Sequence, residues 1–244
     1  MIKQCSRFML YLSIKVVGRV FYRPMLRHLT PYSRSDWKEI KLICFLNHTS
    51  LYEPLFFSVL PVSFLWKCAG DVVIPVADKT VNRPLVGQIF NAIAPKMVSI
   101  SRKRDETWEE FMNLVRSGYL VTIFPEGRMK RANGLDSNGK PMSVKGGIYD
   151  ILNLIKEGKM IVAYSGGLHH IQVPEEGLLP KLFKNLKVNI EILSIEDFKK
   201  PFYEEAKDAR HGRMALIQEL ETRMKVNCPP AEFPYPEMES PQSI

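Results

Sequence analysis

His48 and Glu53 lie five positions apart in the stretch Asn47-His48-Thr49-Ser50-Leu51-Tyr52-Glu53. An imidazole titrates near neutrality and can take a proton from a hydroxyl. A carboxylate beside it can fix its tautomer and stabilise the imidazolium. The pair therefore has the parts of a general base and its orienting acid, although this spacing by itself is commonplace in proteins without such chemistry. A second stretch, Phe124-Pro125-Glu126-Gly127-Arg128, adds a carboxylate and a cation. Two basic clusters, Arg102-Lys103-Arg104 and Arg128 with Lys130 and Arg131, read equally as solvated surface or as phosphate sites, where arginine can bind bidentately. His169-His170 is the one tempting metal pair. Adjacent histidines on a strand point apart, and no third ligand has suitable spacing, so no metal site is expected. His28 and His211 read as surface residues.

These residues need elements to hold them. The apolar run Ile40 to Leu46 reads as a buried strand, and Pro54 suits the first turn of a helix continuing through Leu55, Phe56, Phe57, Val59 and Leu60. His48 then sits where a strand ends and Glu53 where a helix begins, the place where sites collect in open α/β sheets. The stretch 42 to 66 is apolar, but His48, Glu53, Pro54 and Pro61 within it argue for strand, turn and helix rather than a membrane span. Asp71 to Val76 reads as a short strand or a connection ending at Pro75, and further strands are expected at 96–101, 119–124 and 159–164. Leu186 to Leu193 alternates like a half-exposed strand near a sheet edge. Helices are expected at 83–93, at 105–116 with Asp105 as cap and Gly118 as stop, at 144–157, and as a closing helix at 204–225. Residues 132–141 form a polar surface loop. Strands alternating with helices argue for an α/β core.

The 244 residues carry a net charge of +8 and a pI of about 9.3. That balance favours an anionic partner: membrane, phosphorylated substrate or nucleic acid. Nucleic acid is set aside, because neither a recognisable module nor a basic stripe interleaved with stacking aromatics is present. Trp37, Trp66 and Trp108 fall on different elements. Cys5, Cys44, Cys68 and Cys228 are widely separated and suggest neither a disulfide framework nor zinc spacing.

Residues 1–30 begin with an apolar run broken by Lys15 and Arg19. The run is too short to span a bilayer and lacks a cleavage site. At about 100° per residue, Arg7, Lys15 and Arg19 share roughly a third of the circumference, while Phe8, Leu12, Ile14 and Val16 largely occupy the remainder. Two readings stand. The favoured one is a helix in the membrane interface with its basic residues at anionic headgroups. The other is a helix packed on the core. Pro24 should bend or end it. The expected organisation is a membrane-associating helical segment at 1–30, a domain at 31–228 and an irregular proline-rich tail at 229–244.

The two chemical stretches together resemble the glycerolipid acyltransferase family, typified by 1-acylglycerol-3-phosphate acyltransferases. That family carries N-H-x-x-x-x-D, a strand ending in arginine, F-P-E-G-T-R, and a later Lys-x-Gly before a helix. Here the matching residues are Asn47-His48 with Glu53, Met97 to Ser101 followed by Arg102, Phe124-Pro125-Glu126-Gly127-Arg128, and Lys145-Gly146-Gly147. The similar region runs from about Lys41 to Ala163. Glu53 replaces the usual aspartate, the threonine before Arg128 is absent, and Ile161 to Tyr164 lacks the proline of the family's V-P-V strand. The first departure touches the catalytic pair and the others the substrate pocket.

The resemblance implies a mixed β-sheet flanked by helices, with an N-terminal amphipathic membrane-docking element. It implies transfer of a fatty acyl group from acyl-CoA or acyl-carrier protein to a lysophospholipid hydroxyl, with 1-acylglycerol 3-phosphate as the leading acceptor. His48 would be the general base and Glu53 its partner. Asn47, Arg102, Phe124, Pro125, Glu126, Gly127, Arg128, Lys145 and Gly146 would bind substrate, with Arg102 on the acceptor phosphate. No metal or redox cofactor is implied, and the expected location is the cytoplasmic face of a membrane. Rival readings are the same chemistry on another lyso-lipid or glycerol 3-phosphate, and a non-catalytic lipid-binding protein of the same fold.

Overall fold

The computed structural model describes residues 1–77, 92–101, 104–173, 176–177 and 179–235. The elements begin with α1 (Ile2–Val20), β1 (Arg23–His28), α2 (Asp36–Glu39), β2 (Ile40–Leu46) and a 3-10 helix (Glu53–Ser58). The middle holds α3 (Val62–Asp71), β3 (Val72–Ala77), β4 (Lys96–Ile100), α4 (Glu106–Arg116) and β5 (Leu120–Ile123). The chain continues with α5 (Gly147–Leu154), β6 (Lys159–Ser165), β7 (Asn185–Ser194), α6 (Ile195–Tyr203) and α7 (Ala209–Asn227). The helix expected at 83–93 lies outside the described residues except for its last two positions.

Among the described residues, seven strands form one sheet in the order β1-β7-β6-β2-β5-β3-β4. Neighbours pair in parallel except β6 and β7, which are antiparallel, so the sheet is mixed. Alternate side chains along a strand point to opposite faces. In β2, Leu42, Cys44 and Leu46 join one apolar cluster and Ile40 and Phe45 the other. In β6, Met160, Val162 and Tyr164 face one way and Ile161 and Ala163 the other. A strand buried on both faces must read as a near-continuous apolar run, as these two do. One face is covered by α1, the 3-10 helix and α3, the other by α4, α5, α6 and α7.

Caps explain several boundaries. Asp105 accepts from the Thr107 amide and starts α4, while Asp208 accepts from the Arg210 and His211 amides and starts α7. The closing helix expected at 204–225 is α7, and Ser194 caps an additional helix, α6, directly after β7. The two pack closely at Gly212, where a Cβ would fall 1.9 Å from the Phe202 carbonyl oxygen. The helix expected to run past Pro54 to Leu60 is 3-10 and stops at Ser58, and a separate α3 begins after Pro61.

Two expectations are corrected. Residues 23–28, placed within a helical segment, are the edge strand β1, paired in register with Asn185 to Ile190 of β7. β7 is thus an inner strand, and β1 takes the edge with Arg23, Pro24 and Arg27, the residue types that blunt an edge. Cations of α1 also bond to the protein's own backbone. Lys15 Nζ donates to the carbonyls of Ser58 at 2.9 Å and Leu60 at 2.7 Å, Arg19 Nε to Ser58 at 3.0 Å, and Arg7 to Pro95 at 3.5 Å. Lys15 and Arg19 satisfy carbonyls at and just past the end of the 3-10 helix, where the backbone lacks partners and its dipole is negative. Phe8, Leu10, Tyr11 and Ile14 pack on the core beside them. Among the described residues no helix is long and apolar enough to cross a membrane.

Candidate active site

β2 and β5 are adjacent and parallel, so the turns that follow them emerge at the same end of the sheet. Asn47 leaves β2 with φ of 63°, a left-handed conformation that asparagine tolerates. Its Nδ2 donates to the Ser165 carbonyl at the end of β6, 2.7 Å away. That bond ties the turn to the next strand and sends His48 outward. The His48 imidazole keeps 16% of its surface exposed, and Nδ1 lies 2.5 Å from Glu53 Oε2.

Glu53 is buried and uses both oxygens. Oε1 accepts from the amides of Thr49 at 2.8 Å and Ser50 at 3.3 Å, so the carboxylate closes the turn and opens the 3-10 helix. With Glu53 on Nδ1, the proton of a neutral imidazole belongs on Nδ1 and Nε2 is the acceptor nitrogen. Thr49 is fully buried, and its hydroxyl accepts from the Leu168 amide at 2.8 Å.

The second turn clamps the first. The Phe124 ring packs on His48 with centroids 4.5 Å apart. Glu126 is 2% exposed, and its Oε2 accepts from the His48 amide at 3.0 Å. Lys130 donates its amide to the His48 carbonyl at 2.8 Å. Gly127 has φ of 66°, which lets its amide turn back to the Phe124 carbonyl at 2.9 Å. Pro125 offers its carbonyl to the Lys145 amide at 2.8 Å, linking the turn to the start of α5.

Electrostatics follow from these neighbours. Burial acts to lower the His48 pKa, but the charge of Glu53, its hydrogen bond and the charge of Glu126 outweigh burial and raise it above the ordinary value. Burial pushes Glu126 up to about 7, assisted by Glu53 and opposed by the His48 amide and the His48 charge. Burial lowers the Lys130 ammonium.

Asn47, His48, Glu53, Phe124, Pro125, Glu126 and Gly127, named from the sequence, therefore meet in one place. Arg128 turns away, with Nη1 at 3.2 Å from Ser137 Oγ and 3.5 Å from Asp136 Oδ2 in the excursion loop. Lys145 directs Nζ to Ser143 Oγ at 2.5 Å, and the Gly146 carbonyl accepts from Arg213 at 3.2 Å. Arg102 and Lys103 lie outside the described residues. Sequence reading missed Thr49, Ser165, His169 and Tyr235. Of these only His169 carried a signal, and that signal was for a metal. Its ring instead packs among Phe233 and Tyr235.

A mixed seven-stranded α/β sheet with a histidine and a carboxylate at its strand ends defines the class. The Acyltransferase family model matches residues 26–167, and the chain belongs to that family. Its general activity is acyl transfer. No curated protein matches the sequence.

Proposed function

We propose that the chain moves a fatty acyl group from acyl-CoA or acyl-carrier protein to the free hydroxyl of a lysophospholipid, with 1-acylglycerol 3-phosphate as acceptor and phosphatidic acid as product. One observation carries this reading: His48 Nδ1 rests on Glu53, whose other oxygen is held by two backbone amides. Nε2 takes the proton of the acceptor hydroxyl as its oxygen attacks the thioester carbonyl. The C–S bond then breaks, and the proton on the imidazolium leaves with the thiolate as free thiol. Glu53 orients the ring and offsets its positive charge between these steps. Arg102 is assigned to the acceptor phosphate on the resemblance. The net charge of +8 agrees with an anionic substrate.

The acceptor is taken from a membrane surface, with the protein bound peripherally at the cytoplasmic face. Ile2, Met9, Val16 and Val20 are 87%, 61%, 60% and 59% exposed and recur along one side of α1. Because Lys15 and Arg19 are occupied by backbone carbonyls, contact is led by this apolar stripe. Flotation with neutral vesicles should be lost on changing Met9 and Val16 to glutamate; undiminished flotation would remove α1 from the contact.

Thiol release that depends on an acceptor tests the reaction directly. It should require 1-acylglycerol 3-phosphate, and Arg102→Ala should raise the acceptor KM by about 10- to 100-fold, the worth of a charge-assisted bond. A rise in the donor KM alone would place Arg102 at the thioester instead. Release with every acceptor except the phosphate monoester would leave only the family-level activity standing.

A further inference from the structure

After α7 the chain crosses back over the end of the sheet as an irregular strap, Pro229 to Tyr235. Glu232 anchors it to β7, meeting Lys187 Nζ at 2.6 Å and accepting from Asn185 Nδ2 at 2.7 Å. Phe233 and Tyr235 pack on the His169 ring at centroid distances of 5.2 and 5.5 Å. The Tyr235 hydroxyl meets His169 Nδ1 at 2.8 Å, and Lys130 Nζ lies 4.2 Å over the Tyr235 ring.

His169 is 1% exposed. Burial, with the Lys130 charge second, lowers its pKa to about 4, so the ring is neutral at ordinary pH. A neutral ring that accepts the tyrosine hydroxyl at Nδ1 carries its hydrogen on Nε2. Nε2 is buried with no hydrogen-bond partner among the described residues. The adjoining Leu168 amide donates to the Thr49 hydroxyl at 2.8 Å, so the His169 segment and the strap reach Thr49 and Lys130 directly. Those two residues also hold the catalytic pair: the Lys130 amide donates to the His48 carbonyl and the Thr49 amide to Glu53, each at 2.8 Å.

We propose that Tyr235 and His169 are positioning residues for the His48–Glu53 pair, and that the strap is a working part of the site. The tyrosine hydroxyl fixes the tautomer and tilt of His169, and His169 braces the two residues whose amides hold the pair. This rests on the general-base reading above.

Tyr235→Phe removes the hydroxyl and keeps the ring under Lys130. It should lower kcat by about 10-fold while leaving the acceptor KM within about twofold, because the base is misplaced but substrate contacts are not. The acid limb of the rate profile should also shift toward the ordinary histidine value as the His48–Glu53 contact loosens. A chain ending at Cys228 should show the same shift or a larger one. His169→Asn, whose Oδ1 replaces the Nδ1 acceptor, should retain more activity than His169→Leu. Wild-type kcat and pH profile in both Tyr235→Phe and the shortened chain would overturn the proposal. So would a loss of kcat with an unmoved acid limb and a lowered melting temperature, which describes packing alone. His48→Ala, run alongside, separates the two readings: if it is active, both fall; if it is inactive while Tyr235→Phe is normal, only the strap's role falls.

Discussion

His48 follows β2 and His169 follows the neighbouring strand β6, and both rings are largely enclosed, yet their titrations are pushed in opposite directions. At His48 the charges of Glu53 and Glu126 overcome burial and hold the pKa above the ordinary value. At His169 burial meets a lysine charge, and the pKa falls to about 4. Burial alone always penalises the charged imidazole, so the neighbouring charges decide which histidine can accept and stabilise a proton. The first is suited to move protons and the second to stay neutral and hold a fixed hydrogen-bonding geometry.

The comparison breaks if His48 is dispensable. His48→Ala should cut turnover by up to about 10,000-fold, the upper range for a positioned base, while folding is preserved because little core is removed. Near-normal turnover in a folded His48→Ala protein ends the mechanism.

It sharpens at Glu53. Glu53→Gln replaces a charged acceptor with a neutral amide that can present N–H to Nδ1, the wrong tautomer, and should cost on the order of 1,000-fold. Glu53→Asp keeps the charge but falls short by about 1.5 Å, and should cost about 10- to 100-fold. The pH profile separates the two. His48 must be neutral to act, so wild-type activity should rise with pH through a value above the ordinary 6.5. The glutamine variant should move that limb downward, and the aspartate variant, which keeps the charge but stretches the hydrogen bond, should move it less. His169 should add no second limb near neutrality. A fully active Glu53→Gln enzyme would reduce Glu53 to a helix-start residue.

The sequence disclosed the elements whose pattern is local. Ile40 to Leu46 is a strand with the bounds its apolar run implies, and Asp105 caps α4 where its side chain predicts. Glu126 was legible as a site residue from its motif, but not as the acceptor of the His48 amide. β1 was missed because Arg23-Pro24-Met25 has no strand signature of its own, and only a partner about 160 positions away makes it one. The basic residues of α1 have amphipathic spacing, yet spacing does not say which face meets water. Lys15 turns inward because carbonyls of the 3-10 helix await it there. Tyr235 sits in a proline-rich segment with no periodicity, and its role depends on a chain reversal that no local pattern encodes.

The smallest expected effect lies in stability and concerns Glu126, the second carboxylate that His48 has and His169 lacks. Its folded pKa of about 7 stands above the ordinary 4.5. Between these values the folded protein keeps a proton that the unfolded chain has released. The associated stability is therefore fully present below 4.5, declines as pH rises, and is gone above 7. The whole contribution is at most about 3 kcal/mol. Glu126→Gln keeps an oxygen to accept the His48 amide and removes the titration. Urea unfolding of both proteins from pH 4.5 to 8 should show the wild type losing ground to the variant across that window. His48 leans the same way, since its raised pKa also gives stability that is lost with rising pH, but both proteins retain it and it largely cancels in the difference. A pH-independent difference would mean that Glu126 is ionised throughout, a permanent anion beside His48, and the contrast between the two histidines would then rest on two fixed charges rather than one.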